Sequence, residues 1–329
     1  MPSKPKLTSL PQKPASFIEP MDCLAVTKLP DSANWVWEIK IDGYRAIAVK
    51  SDRVNFYSRT RNSFNNKFSY IVEALSDMPQ GTVLDGELVA IDDEGRPNFN
   101  LLQNFRTGAR NIQYYVFDLL CLNNQDTTRL PLIERRTLLK TLSFKDKRIK
   151  ILDCVEAEPS ELLQVVREQK LEGIVGKRKD SPYEPGSRSG AWIKHRVNCG
   201  QEFVIGGYTP GLHGLDAIIV GYYRGKELVY VARARNGFVP ASRRQLFEKL
   251  KPLMISKCPF VNLPEKKQSR WGQGLTAEEM KKCIWVKSKL VAQIEFLEWT
   301  DGEHLRHTKF VGLREDKDPR SVVREHAGE

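Results

Sequence analysis

Glu38-Ile39-Lys40-Ile41-Asp42-Gly43-Tyr44-Arg45 is the stretch of this 329-residue chain whose side-chain types could do chemistry. Read as a strand, it puts Glu38, Lys40 and Asp42 on one face, and Ile39 and Ile41 on the other, core-facing one. A lysine amine is a nucleophile only when neutral. Its ordinary pKa of about 10.4 must then be lowered by burial or by neighbouring cations. In isolation, K-x-D-G would describe a solvated lysine on an amphipathic hairpin. Here further charged and aromatic stretches follow it: Ser58-Arg59-Thr60, Asp85-Gly86-Glu87, Phe117-Asp118, Glu172-Gly173-Ile174-Val175-Gly176-Lys177 and Trp192-Ile193-Lys194-His195-Arg196.

E-x-K-x-D-G-x-R resembles motif I of the nucleotidyltransferase superfamily, which contains ATP-dependent DNA ligases, RNA ligases and capping enzymes. The five later stretches resemble its motifs Ia, III, IIIa, IV and V, in that order. Glu298-Trp299-Thr300, Leu305-Arg306-His307 and the run from Phe310 to Lys317 resemble the motif VI region of bacterial end-joining-type ATP-dependent DNA ligases. Those are the ligase domain of ligase D and its stand-alone relatives. The resemblance extends from Phe17 to Pro319. It implies an α+β fold in which an adenylation (nucleotidyltransferase) domain of antiparallel sheets and flanking helices precedes an OB-fold β-barrel. It also leads us to expect no separate DNA-binding, zinc-finger or polymerase domain.

The chemistry implied is phosphoryl transfer in three steps. Lysine attacks the α-phosphate of ATP and expels pyrophosphate, the AMP passes to a 5′-phosphate, and a 3′-hydroxyl then displaces AMP. Catalysis of such steps is mostly positioning and charge stabilisation, which explains a site rich in Lys and Arg. By resemblance Lys40 is the nucleophile, with Asp42 and Lys194 as catalytic companions, and Lys194 contacts the α-phosphate. Lys194, Arg196 and a bound Mg²⁺ (or Mn²⁺) are the neighbours expected to lower the Lys40 pKa. Glu172 is the implied metal carboxylate, and Glu87 is placed at the ribose and as a second metal ligand. Arg45 and Arg59 are placed at phosphate or ribose, Lys177 at phosphate, and Phe117 stacked on adenine, because a flat aromatic face suits a purine. Glu38 is expected to help recognise the base through its backbone. Arg314 and Lys317, with Asp316, are expected to orient the leaving pyrophosphate when the barrel closes over ATP. The family pattern has lysine at the place of Arg196; arginine keeps the charge and changes the geometry.

These residues need elements to hold them. Hydrophobic residues make up 40% of the chain, enough for ordinary cores. Trp35–Lys50 reads as two short alternations broken at Asp42-Gly43, a hairpin or tight-turn signal, and Val83–Ile91 is built the same way. Tyr114–Leu122 is a continuous apolar run that suits a buried strand. Helices are predicted over Leu130–Leu142 and over Ser160–Lys170, with Ser160 as N-cap, and a strand over Gly173–Lys177. The texture changes near Val197–Gln201. Beyond it lie strands over Phe203–Tyr208, Ala217–Tyr223, Leu228–Ala234 and Trp285–Trp299, with a helix over Ala241–Leu253. The division expected is a flexible lead-in (1–16), an adenylation domain (17–198) and an OB domain (199–329), with a hinge near Val197–Gly200.

The net charge is +11, from 52 basic and 41 acidic residues, and both halves share the excess. A basic surface favours a polyanionic partner, nucleic acid first. Nicked or broken duplex DNA is the expected partner, gripped through backbone phosphates without reading sequence. Arg233, Arg235, Arg243, Arg244 and the Leu263–Gly274 loop are candidates for that grip. There is no apolar run of membrane-spanning length, no secretory h-region and no zinc spacing among the six cysteines. We therefore expect a bacterial cytoplasmic, nucleoid-associated monomer without disulfides, with a Ku-like end-joining partner implied by resemblance alone. Two alternatives stand beside this reading. One is an RNA ligase or capping-type nucleotidyltransferase, and the other a non-catalytic nucleic-acid-binding OB protein.

Overall fold

Trp35–Lys40 (β1) and Tyr44–Lys50 (β2), the two alternations around Asp42-Gly43, belong to different sheets of the computed structural model. The Asp-Gly step therefore carries the chain from one sheet to the other and does not close a hairpin. Gly43 is required there by close approach, since a Cβ would lie 2.2 Å from the Leu88 carbonyl oxygen. Asp85-Gly86 is likewise no turn. It lies inside the continuous strand Thr82–Ala90, where a Gly86 Cβ would meet the Tyr115 carbonyl at 2.5 Å. The structure describes residues 10–103, 111–169, 171–197, 200–265, 275–300 and 302–325. Most of the expected lead-in, part of the Val197–Gly200 hinge and residues 266–274 of the expected loop lie outside them.

The chain divides into two compact units, Met1–Asn198 and Cys199–Glu325. In the first, β2 is flanked by Val54–Ser58 (β3) and Thr82–Ala90 (β4), and β4 pairs in turn with Ile112–Leu122 (β5), all antiparallel. The second sheet of this unit orders β1, Gly173–Arg178 (β6), Trp192–Arg196 (β7) and the short strand Leu24–Ala25. Val36 of β1 and Trp192 of β7 share one buried cluster with Ile47, Val83, Phe117 and Leu120 of the larger sheet, so the two sheets bury facing sides together. On the outer side of the small sheet, Trp37, Ile174 and Ile193 pack with Leu163 and Val166. These last two come from the helix Pro159–Glu168 (α2), which opens at Pro159, one residue before the expected Ser160 cap. Proline at the first helical position is pre-set for helix and has no N–H to satisfy. Helix Leu132–Leu139 (α1) packs on β5.

In the second unit Gly200–Thr209 (β8), Ala217–Arg224 (β9) and Glu227–Ala234 (β10) run antiparallel, and Ile284–Glu295 (β11) and Lys309–Leu313 (β12) continue the sheet from β8. An Asn236–Lys309 bridge links the chain after β10 to the other end of this order, giving a partly closed barrel with Phe203, Ile205, Val220, Tyr230 and Val291 in its core. Helix Pro240–Leu250 (α3) lies on this unit, with Leu246 and Leu250 buried. This is the adenylation-plus-OB architecture the sequence suggested.

Candidate active site

Directly opposed residues of neighbouring strands put their side chains on the same face of a sheet. In the small sheet Lys40 is opposite Gly173, which is opposite Arg196; Glu38 is opposite Val175, which is opposite Lys194; and Val36 is opposite Lys177, which is opposite Trp192. One face of three strands thus carries Glu38, Lys40, Lys177, Lys194 and Arg196. Gly173 keeps the centre of the Lys40–Arg196 row open. A Cβ there would sit 2.2 Å from the His195 carbonyl oxygen.

Glu172, the residue before that glycine, joins both ends of the row. Its Oε2 is 2.7 Å from Lys40 Nζ, and its Oε1 accepts from Arg196 Nε at 2.8 Å. The two cations hold the Glu172 carboxyl well below the usual range against the opposing effect of burial, at about 2. For Lys40, burial and Arg196 disfavour the charge, but the carboxylates of Glu172 and Asp42 outweigh them and the pKa is raised. Burial and Arg196 act in the expected downward direction, and the two carboxylates reverse the net shift. As the site stands, Glu172 keeps Lys40 an ammonium.

Deeper between the sheets, Glu38 is 3% exposed and its carboxylate is shared. Oε1 accepts from Arg136 Nη1 at 2.8 Å, and Lys177 Nζ lies 2.9 Å from Oε1 and 2.8 Å from Oε2. Lys177, expected at a phosphate, is instead 1% exposed, with its ammonium 4.2 Å from the ring centroids of both Phe117 and Trp192. The reason is its position diagonal to Glu38 on the sheet. Phe117 also has the Arg45 guanidinium 4.6 Å from its ring centre. Arg45 itself is turned to Asp85 in a two-pronged pair at 2.5 and 2.6 Å, and the Tyr183 hydroxyl donates to the same carboxylate at 2.7 Å. Arg59 pairs with Asp22 at 2.7 Å. Glu87 sits opposite Arg45 in the register of β4 and β2.

The sequence reading quoted Asp85 within a motif without giving it a role and missed Tyr183, Asp22 and Arg136, and the signal for the last of these was present. Leu132, Arg135, Arg136 and Leu139 fall at the spacing of one helical face, so two arginines occupy a buried stripe and must find carboxylates. Arg135 takes Asp118 at 2.8 Å, both groups fully buried, and Arg136 takes Glu38.

In the second unit the Arg314–Lys317 run is tied down. Arg314 grips Asp316 with two 3.0 Å bonds, both residues being buried, and Lys317 lies 3.2 Å from Glu202. Of the arginines suggested for DNA, Arg235 pairs with Asp216, Arg233 lies 3.7 Å from Glu279, and Arg243 donates to the Leu215 and Arg235 carbonyls. Arg244 is exposed. Arg233 and Arg243 are part-buried against these partners, whereas Arg235 stays exposed beside Asp216.

Residues 20–196 match the family model described as ATP dependent DNA ligase domain, and residues 212–317 that of the ATP dependent DNA ligase C terminal region. The chain is 32% identical over 313 residues to the multifunctional non-homologous end joining protein LigD of Pseudomonas aeruginosa, covering 92% of this chain and 36% of that one. The chain thus spans little more than a third of that relative's length. It is 33% identical over 197 residues to the SPbeta prophage-derived DNA ligase-like protein LigB of Bacillus subtilis, covering 59% and 72% of the two. Among solved structures, a mycobacterial DNA ligase D complexed with ATP and MES superimposes with a TM-score of 0.66 at 30% identity, over 94% of this chain and 98% of that one.

Proposed function

The chain belongs to the family of ATP-dependent DNA ligases, and we propose that it joins a 3′-hydroxyl to a 5′-phosphate in nicked or broken duplex DNA, carrying AMP on Lys40. The observation that carries this reading is the Lys40–Glu172–Arg196 row, a lysine 2.7 Å from a carboxylate on a sheet face that also presents Lys194.

In the first step neutral Lys40 Nζ bonds to the α-phosphorus of ATP, the bond to the β-phosphate oxygen breaks, pyrophosphate leaves and the nitrogen loses its second proton. Because Glu172 stabilises the ammonium, Lys40 must first lose a proton, and anything that draws Glu172 away favours that loss. Lys194 and Arg196 supply positive charge toward the α-phosphate, where charge develops. Phe117, buried with the Lys177 and Arg45 cations against its ring, would stack on the purine once those cations give way, while Arg45 and Arg59, paired with Asp85 and Asp22, contribute charge at the sugar and phosphates. Glu87 reaches the ribose. AMP then passes to a 5′-phosphate oxygen, and the 3′-hydroxyl displaces it.

A divalent cation fits this donor set. Among the described residues no group of three acidic, His or Cys side chains could cage a metal by itself. Mg²⁺ suits such a site, since it keeps several waters and binds through one or two carboxylates together with substrate phosphates. Glu172 would hold it, with Glu87 as the second carboxylate, and Mn²⁺ could take its place. Bound there, it would neutralise phosphate charge and compete with Lys40 for Glu172.

End joining or repair in the bacterial cytoplasm at the nucleoid, as a monomer with a Ku-like partner, completes the proposal. No helix among the described residues is long and apolar enough to cross a membrane. Competition decides the substrate class. With labelled ATP against GTP, and nicked DNA against nicked RNA, ATP and DNA are expected to win. Charging from GTP, or sealing of RNA alone, would point to the RNA ligase or capping alternative. Binding of DNA without any adduct would point to the non-catalytic one.

A further inference from the structure

We infer that Arg136 is a positioning residue of the nucleotide site, an inference that rests on the adenylation reading above. Arg136 is 2% exposed and lies on α1, outside every motif the sequence singled out. Its guanidinium reaches three pieces of backbone or side chain at once. Nη1 donates to Glu38 Oε1 at 2.8 Å and to the Phe117 carbonyl at 3.2 Å, and Nη2 donates to the Leu152 carbonyl at 2.6 Å. Glu38 stands on β1, two residues before Lys40, while Phe117 stands on β5 of the other sheet. One planar group therefore fixes the strand of the nucleophile against the strand of the purine-stacking ring. A lysine presents a single donor point and cannot reproduce this fork. If the two sheets shift at Arg136, the purine side at Phe117 and the phosphate-facing cations of the small sheet no longer fit one ATP molecule together, and ATP is bound less tightly.

Arg135 provides the contrast within the same helix. It is fully buried, it bonds Asp118 twice at 2.8 Å and the Leu130 and Ser181 carbonyls at 2.7 and 2.8 Å, and it touches neither Glu38 nor the Phe117 carbonyl. Arg135 is a structural arginine in this account, and its loss should cost stability alone.

The test is adduct formation with α-labelled ATP on wild type, Arg136→Lys, Arg135→Lys and the double variant Arg136→Met/Glu38→Gln, with thermal midpoints measured alongside. The double variant removes one charge of each sign and the fork with them, and it leaves the buried Lys177 ammonium without its Glu38 carboxylate. Arg136→Lys is expected to raise the ATP KM for adduct formation at least tenfold, with the saturated rate within threefold of wild type. The double variant is expected to lower the thermal midpoint, because Lys177 loses its carboxylate, and to keep the raised KM. Arg135→Lys is expected to lower the midpoint with an unchanged KM. A KM within twofold of wild type in both Arg136 variants would overturn the inference and leave Arg136 a purely structural tie. Wild-type protein that takes no label at all would overturn the adenylation reading itself, and this inference with it.

Discussion

Glu172 stands between Lys40 and Arg196, with one carboxylate oxygen 2.7 Å from the lysine amine and the other 2.8 Å from the arginine Nε. Its place before Gly173, in the middle strand of the row, makes this bridge possible, and the bridge raises the pKa of Lys40, the proposed nucleophile. The resting site holds a protected lysine.

Glu172→Gln should release it. Glu172 is the main group raising the Lys40 pKa; without it, burial and Arg196 act downward and Asp42 alone acts upward. Each unit of fall multiplies the neutral fraction about tenfold below the pKa. Lys40 in this variant should therefore react faster with an amine-selective reagent at pH 8, as followed by peptide mass spectrometry, while ATP-driven activity falls. Equal labelling rates in the two proteins would show that Glu172 does not control the lysine.

Acid stability should report the same carboxylate. Glu172 has a folded-state pKa lowered to about 2 from an ordinary 4.5. Its contribution is thus fully present above about pH 4.5 and is lost as the pH falls toward 2. Denaturant midpoints of wild type should decline more steeply between pH 5 and pH 3 than those of Glu172→Gln. Parallel curves would contradict the depressed pKa.

Arg45 and Asp85 form a pair in which Asp85 is fully buried. Asp85→Asn leaves Arg45 facing a neutral partner and should cost about 3–5 kcal/mol of stability. Tyr183→Phe removes the hydroxyl that donates to Asp85 and accepts from the Met21 N–H, at a cost of about 1–3 kcal/mol. Chemical denaturation of both variants measures this. If Asp85→Asn costs less than Tyr183→Phe, the pair is not the anchor of Arg45.

Gly173→Ala should disable the site without touching a charge. The added methyl meets the His195 carbonyl at 2.2 Å, so β6 and β7 must part and the Lys40–Glu172–Arg196 row must open. Loss of adduct formation by at least about a hundredfold is expected, in keeping with the cost of misplacing reacting groups by about 1 Å. Near-normal activity would show that the register there is slack.

Lys40, Glu172, Lys194 and Arg196 were picked out in the sequence by resemblance to ordered motifs, and the structure joins Lys40, Glu172 and Arg196 in one row with Lys194 on the same sheet face. The route of the chain was harder. Asp42-Gly43 announces a change of direction, but local propensity cannot say that β1 and β2 leave it for different sheets. The partners of the cations lay out of reach for a similar reason. Arg45–Asp85 and Lys177–Glu38 join residues 40 and 139 positions apart, distances over which spacing carries no signal. The anchor of Lys317, Glu202, lies on β8, far back in the chain, so spacing could not show that the Arg314–Lys317 run is tied down. Arg135 and Arg136 stand between these cases, since their place on an apolar helical stripe was readable.

The central claim is that Lys40 carries AMP. Wild type and Lys40→Ala, both cleared of bound nucleotide with pyrophosphate, are incubated with α-labelled ATP and Mg²⁺ and then with nicked duplex DNA. The account predicts label on wild type alone, discharged as the nick is sealed. Label on Lys40→Ala, or none on the cleared wild type, would contradict it.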